Sequence, residues 1–288
     1  MPLRTIRRSV IDLKANRPLS AARARHPRAL VFVHVPKCGG SSVEKALRRA
    51  RLLGRRLIGP EETFRAAASL LGIADPDERL DPASQHAVLM RASELRRDLL
   101  HLHLAEGARL VTGHAPLGLH TLDLPGTDVV TVMRSPRTRL RSHLAFNAGE
   151  RAGHGRCEMT VARFLETERA RVMGALYVKY LAGLPMDADF AAQSAIDAAR
   201  RAVDRLALVG FTEEMDAFAA RLGMLAGRRI EIGRVNEGKS QEGGGGPALP
   251  EALSDRIHAL CAPDEAVYAH ARARFGERRQ TVRPGAAP

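Results

Sequence analysis

Apolar residues change period several times along the chain, and each change predicts an element. Ala29 to Val35 is a continuous β-rich run stopped by Pro36, the pattern of a strand buried on both faces. After Lys37-Cys38-Gly39-Gly40-Ser41-Ser42 the period becomes helical. Val43, Leu47 and Ala50 share one face, and Glu44 stands four residues before Arg48, where the two can pair. Residues 60 to 106 read as charged helix, broken at Asp75-Pro76 and Asp81-Pro82. Arg109 to Thr112 is a second short strand, closed by Gly113-His114, and Asp128 to Met133 is a third. Arg134-Ser135-Pro136 then opens a helix, with Ser135 as N-cap and Pro136 at its first position. Residues 160 to 204 predict two or three amphipathic helices, Leu206 to Phe211 a fourth strand, Thr212 to Leu225 a helix, and Arg229 to Ile232 a last short strand. Pro250 to Phe275 returns to helix. Strands alternating with helices predict an α/β fold whose central, mainly parallel sheet is flanked by helices, with a P-loop-type order of strand, glycine loop and helix.

Composition narrows the class. Hydrophobic residues make up 45% of the 288 positions, too many for a disordered polycation, and the three cysteines show no C-x-x-C spacing for a zinc site or disulfide framework. Apolar runs fall far short of the roughly 20 residues that a membrane span needs. The basic N-terminus lacks the apolar core of a secretory signal, so a reducing, cytoplasmic setting is expected. Forty-five Lys and Arg against 32 Asp and Glu leave a formal charge of +13, which points to an anionic partner: nucleic acid, a membrane surface or a small polyanion. Residues 1 to 29 hold eight Lys or Arg and one Asp. The expected organisation is a basic, loosely ordered arm (1–28), one α/β domain (29–276) and a disordered tail (277–288), with Gln241 to Pro247 as a flexible glycine loop. The arm is a candidate for peripheral membrane contact.

Candidate chemistry sits where strands give way to helices. A glycine turn feeding a helix presents unpaired N–H groups and the positive end of the helix dipole, a cradle for an anion. Lys37 adds a cation and Ser41 and Ser42 add hydroxyls. This is not a Walker A loop, in which Lys and a Mg²⁺-binding hydroxyl follow the last glycine; here Lys37 precedes Gly39-Gly40. A nucleotide kinase also wants a carboxylate at the end of a neighbouring strand, whereas the strand through Met133 ends in Arg134. An Arg in that place suits a second phosphate held without metal, and Ser142 is placed to share it. His114, ending the second strand, suits proton transfer near neutral pH. His101 and His103 resemble a metal pair, but on a helix they fall on different faces. His86 and Glu94 lie in the stretch expected to meet an acceptor substrate.

Val33-His34-Val35-Pro36-Lys37-Cys38-Gly39-Gly40-Ser41-Ser42 is similar to the 5′-phosphosulfate loop of sulfotransferases that use 3′-phosphoadenosine 5′-phosphosulfate (PAPS). Val132-Met133-Arg134-Ser135-Pro136 through Ser142 is similar to their 3′-phosphate motif, with the same Arg-to-Ser spacing. Gly113-His114, Val209-Gly210-Phe211-Thr212-Glu213 and the Asp264 to Phe275 segment also look like this superfamily, closest to its carbohydrate (2-O-type) branch and bacterial relatives, over roughly residues 29 to 276. The resemblance implies PAPS as co-substrate and metal-free transfer of its sulfuryl group to a small-molecule or glycan acceptor. It implies that Pro36, Lys37, Cys38, Gly39, Gly40, Ser41 and Ser42 bind the 5′ end, and that Lys37 also neutralises the leaving oxygen. Arg134 and Ser142 would hold the 3′-phosphate, with Lys239 as a further contact, and His114 would take the acceptor's proton. Cys38 departs from the family pattern, which has Thr, and leaves that position its backbone N–H.

Three other readings compete. A P-loop kinase fits the strand-loop-helix order but not the placement of Lys37 and Arg134. A cysteine phosphatase would need Arg six residues after Cys38, where Glu44 stands. A non-catalytic nucleic-acid binder fits the charge, yet three Tyr, eight Phe and no Trp supply few stacking platforms, so no specific nucleic-acid partner is expected.

Overall fold

The computed structural model describes residues 28–50, 54–73, 80–148, 159–233 and 251–276. Five strands, β1 (Ala29–Val33), β2 (Arg55–Ile58), β3 (Leu110–Gly113), β4 (Thr127–Met133) and β5 (Leu208–Phe211), form one parallel sheet in the order β2-β3-β1-β4-β5. Among the described residues the helices are α1 (Gly40–Arg49), α2 (Pro60–Leu70), α3 (Pro82–Ala105), α4 (Pro136–Asn147), α5 (Val161–Phe164), α6 (Glu168–Gly174), α7 (Leu176–Leu181), α8 (Gln193–Arg205), α9 (Met215–Ala226) and α10 (Glu251–Phe275). None is long and apolar enough to cross a membrane.

The continuous apolar run of β1 is required because both faces of the sheet are covered. Val31 and Val33 pack on one face with Leu100 and Leu104 of α3, Tyr177 of α7 and Val267 of α10. Leu30 and Phe32 pack on the other with Val43 and Leu47 of α1 and Phe218 and Leu222 of α9. β4 repeats the division, Val129 and Met133 on the first face and Val130 and Val132 on the second. Each such side chain contributes about 1.5–3 kcal/mol by leaving water. Beyond the sheet, α4 and α6 lean on α10 through Leu140, Met173 and Ile257, and α2 packs on α3 through Phe64 and Val88.

Several elements depart from the sequence pattern. β1 stops at Val33 rather than Val35, because the Val35 amide turns back to the Val33 carbonyl at 3.2 Å. Arg55–Ile58 is an unforeseen strand at the sheet edge, where only Ile58 is buried; an edge strand shows most of its side chains to water and so carries little apolar signal. Arg229 to Ile232 does not pair with the sheet, and Ile230 alone is buried there. Residues 160 to 204 divide into four helices, and a 3₁₀ turn (Thr212–Glu214) precedes α9. Ser135 is the N-cap of α4 by position, without a side-chain hydrogen bond. Glu44 turns from Arg48 to His34, 3.1 Å from its Nδ1. The arm up to residue 27, the tail, the Gln241 to Pro247 loop and Lys239 lie outside the described residues; Arg28, the last residue of the arm, pairs with Asp128 at 2.6 Å.

The strand order decides where a ligand can sit. The chain leaves β1 toward the β2 edge and leaves β4 toward β5 at the opposite edge, so connections diverge between two neighbouring strands. That divergence opens a crevice outside the carboxyl ends of the strands, where open α/β sheets take ligands. The glycine loop follows β1 and Arg134 follows β4, one on each side.

Candidate functional site

The loop side is shaped by backbone. Lys37 has φ 66 and Gly39 φ 75, a left-handed conformation uncommon for lysine. Successive residues of this kind turn backbone N–H groups toward one concavity. Gly39, the N-cap of α1, has no side chain to accept the first-turn amides, and no acidic residue occupies that turn. Gly40 is needed for close approach: a Cβ would lie 2.1 Å from the His34 ring, which is buried against the Phe32 and His114 rings. The Lys37 ammonium rests 4.0 Å over the Phe146 ring of α4 and has no carboxylate partner among the described residues. Burial, and then the charge of Arg134, lower its pKa. The Cys38 thiol is buried 3.4 Å from the Tyr177 hydroxyl, and burial pushes it up to about 11. A buried thiol held above its ordinary value is a poor nucleophile, which counts against the phosphatase reading on grounds independent of Glu44.

The arginine side is shaped by side chains from distant segments. The Tyr177 hydroxyl accepts the Arg134 N–H at 2.8 Å and donates to the Arg134 carbonyl, clamping one residue from both ends. Tyr177 is fixed in turn, because its amide and that of Val178 donate to Asp264 of α10 at 2.8 and 3.1 Å. Asp264 pairs with Arg139 of α4 at 3.0 Å, both side chains fully buried, and Arg139 also donates to the Met173 carbonyl. Burial alone would pull the Arg139 guanidinium down; the Asp264 carboxylate beside it holds it above its usual value. Arg134 itself has no ion-pair partner among the described residues. Ser142 stands one helical turn before Phe146, on the side of α4 where Lys37 docks. Lys37, Cys38, Gly39, Gly40, Ser41 and Ser42 thus follow the end of β1 and Arg134 follows the end of β4, with Ser142 one turn before the Phe146 ring that carries Lys37 and Pro36 leading into the loop.

His114 is brought to the next strand end. Its Nδ1 lies 2.7 Å from the His34 carbonyl; a carbonyl only accepts, so Nδ1 carries the proton and Nε2 keeps a lone pair. The His34 and His114 rings stand 4.1 Å apart. Burial, followed by the neighbouring His34, Arg96 and His143, holds His114 well below the usual imidazole range, although hydrogen bonding to the His34 carbonyl opposes the shift. His101 and His103 turn to separate partners, Thr121 at 2.8 Å and Glu106 at 3.4 Å. His86 and Glu94 do come together, lining a cavity of about 320 Å³ with Met90, Glu168 and Met186.

Sequence patterning gave little sign of the scaffold behind Arg134. Tyr177, Arg139 and Lys179 were not singled out in the sequence, and Asp264 stood out only as the start of the Asp264 to Phe275 segment. Lys179 is buried with its ammonium 2.9 Å from Ser93 Oγ, where burial and then Arg96 bring it down to about 7. His34 lay within the quoted loop motif without a role assigned to it, and His143 stood next to Ser142, which was the one clue to it. Lys37 and Arg134 thus stand beyond the ends of neighbouring strands without an ion-pair partner among the described residues, and His114 keeps an unprotonated Nε2 beside them. No protein-family profile and no curated protein matches the chain.

Proposed function

We propose that the protein is a PAPS-dependent sulfotransferase acting on a hydroxyl of a carbohydrate or other small acceptor. The observation that carries this reading is the pair of carboxylate-free cations, Lys37 and Arg134, on the two sides of the crevice between β1 and β4. A nucleotide that bears a phosphate at each end of its ribose matches two separated cationic subsites, whereas a Mg²⁺-bound triphosphate needs a carboxylate that Arg134 replaces.

In this reading the co-substrate supplies an activated sulfuryl group, and the protein supplies position and charge. The amides of Cys38 to Ser41 donate to the 5′-phosphate, with the Ser41 and Ser42 hydroxyls beside them; the Ser42 amide is taken by the Gly39 carbonyl at 3.1 Å. Lys37 neutralises charge on the oxygen that leaves as the sulfur–oxygen bond to phosphate breaks. Arg134 and Ser142 hold the 3′-phosphate, and Lys239 is a further candidate for it. His114 Nε2 takes the proton from the acceptor hydroxyl as its oxygen bonds to sulfur. The buried, free thiols of Cys38 and Cys261 suit a cytoplasmic setting.

Titration calorimetry tests the assignment. 3′,5′-Bisphosphoadenosine is expected to bind more tightly than Mg·ATP, with Arg134→Ala weakening it at least tenfold, and Lys37→Ala is expected to abolish transfer of radiolabelled sulfate from PAPS. Tighter binding of Mg·ATP overturns the reading in favour of a kinase. His114→Ala should lower kcat with little change in donor affinity; an unchanged kcat assigns the proton to another group.

A further inference from the structure

His143 follows Ser142 on α4, four residues after Arg139 and three before Phe146, so the three share one side of the helix. Phe146 carries the Lys37 ammonium on that side, and Arg139 is buried there with Asp264. His143 Nδ1 is itself buried and has no hydrogen-bond partner among the described residues. Buried polar atoms are nearly always partnered, and a missing ligand is one explanation for an orphan.

We propose that His143 Nδ1–H donates to a phosphoryl or sulfuryl oxygen of the anion bound beside Lys37, and that arrival of this anion protonates the imidazole. The inference rests on the donor-binding reading for which anion binds, but not for an anion binding there. The charged groups acting on His143 come from several elements: Arg139 on its own helix, Arg169 on α6 and Lys37 on the glycine loop, with His114 beside β3 coupled to it as well. Asp264 on α10 is engaged by Arg139 and by the amides of Tyr177 and Val178. Burial first, and then those three cations, push the imidazole down to about 3, so it is neutral without ligand. A dianion among the same cations reverses the local field and favours imidazolium. Binding then takes up a proton, and affinity rises as pH falls through the bound-state pKa.

Calorimetry on the full chain at pH 6, in two buffers of different ionisation enthalpy, measures this uptake for two probes, 3′,5′-bisphosphoadenosine and inorganic pyrophosphate. Wild type is expected to take up more protons than His143→Asn or His143→Ala. Affinity should fall roughly tenfold in His143→Ala, the scale of one charge-assisted hydrogen bond. It should recover in part in His143→Asn, whose side-chain amide stands near the Nδ1 position; this variant carries the test if the alanine protein does not fold. Equal affinity and equal proton uptake in wild type and variants overturn the proposal, as does failure of wild type to bind either probe. Histidine-dependent uptake with pyrophosphate, but no preference for the bisphosphonucleotide, supports the role of His143 and overturns the sulfotransferase reading instead.

Discussion

The glycine loop and the arginine corner stand beyond the ends of neighbouring strands, β1 and β4, yet they are built by opposite means. The loop gets its shape from consecutive residues: Lys37 and Gly39 in left-handed backbone, and Gly40 without a Cβ against the His34 ring. The corner gets its shape from Tyr177, which lies 43 residues from Arg134, and from Asp264, 125 residues from its partner Arg139. A local device is disturbed by changing its own residues. A device held from afar can be dismantled without touching any group that would meet a ligand.

The largest effect is expected on the corner. Asp264→Ala leaves the Arg139 guanidinium buried and unpaired and takes the acceptor from the Tyr177 and Val178 amides, a loss of about 3–5 kcal/mol in urea unfolding. A midpoint like that of wild type would show that Arg134 is not held in this way. Cys38, where loop and corner touch, sharpens the comparison through pH. Its thiol is raised from 9.0 to about 11 in the folded state, so between those values the folded protein keeps a proton that the unfolded chain has lost. This contribution is complete below pH 9 and disappears as pH rises toward 11, at about 1.4 kcal/mol for each pH step between the two values. Thermal melts from pH 8 to 11 should therefore fall less steeply for Cys38→Ala; identical slopes would refute the assignment.

Gly40→Ala is expected to cost about 1–3 kcal/mol by forcing the His34 ring aside, and to weaken bisphosphoadenosine while Arg134 stays in place. The smallest change is at Tyr177→Phe, about 1–2 kcal/mol for an Arg134 amide left without its acceptor. Its signature is a selective loss: affinity for 3′,5′-bisphosphoadenosine falls more than affinity for adenosine 5′-monophosphate, because the loop that would take the 5′ end is intact. Equal losses for both nucleotides would mean that loop and corner are one mechanical unit.

Residues 29–33, 110–113 and 127–133 declared themselves as strands because both faces of a covered parallel sheet demand apolar side chains, and continuous apolar runs are visible without coordinates. The cradle after β1 was legible for a similar reason, since its glycines, its lysine and the helix they open are adjacent in the chain. Arg55–Ile58 was not legible: at a sheet edge, pairing is decided by a neighbouring strand and not by the segment's own pattern. Nor could spacing show that Glu44 would turn to His34, that Lys179 would lose its water, or that Tyr177 would hold Arg134. The sequence by itself determined an alternating α/β chain and the two short stretches proposed to meet anions. Only the tertiary structure placed β1 beside β4 and assembled the scaffold behind Arg134, because burial and partnership belong to groups far apart in the chain and exist only once it has folded.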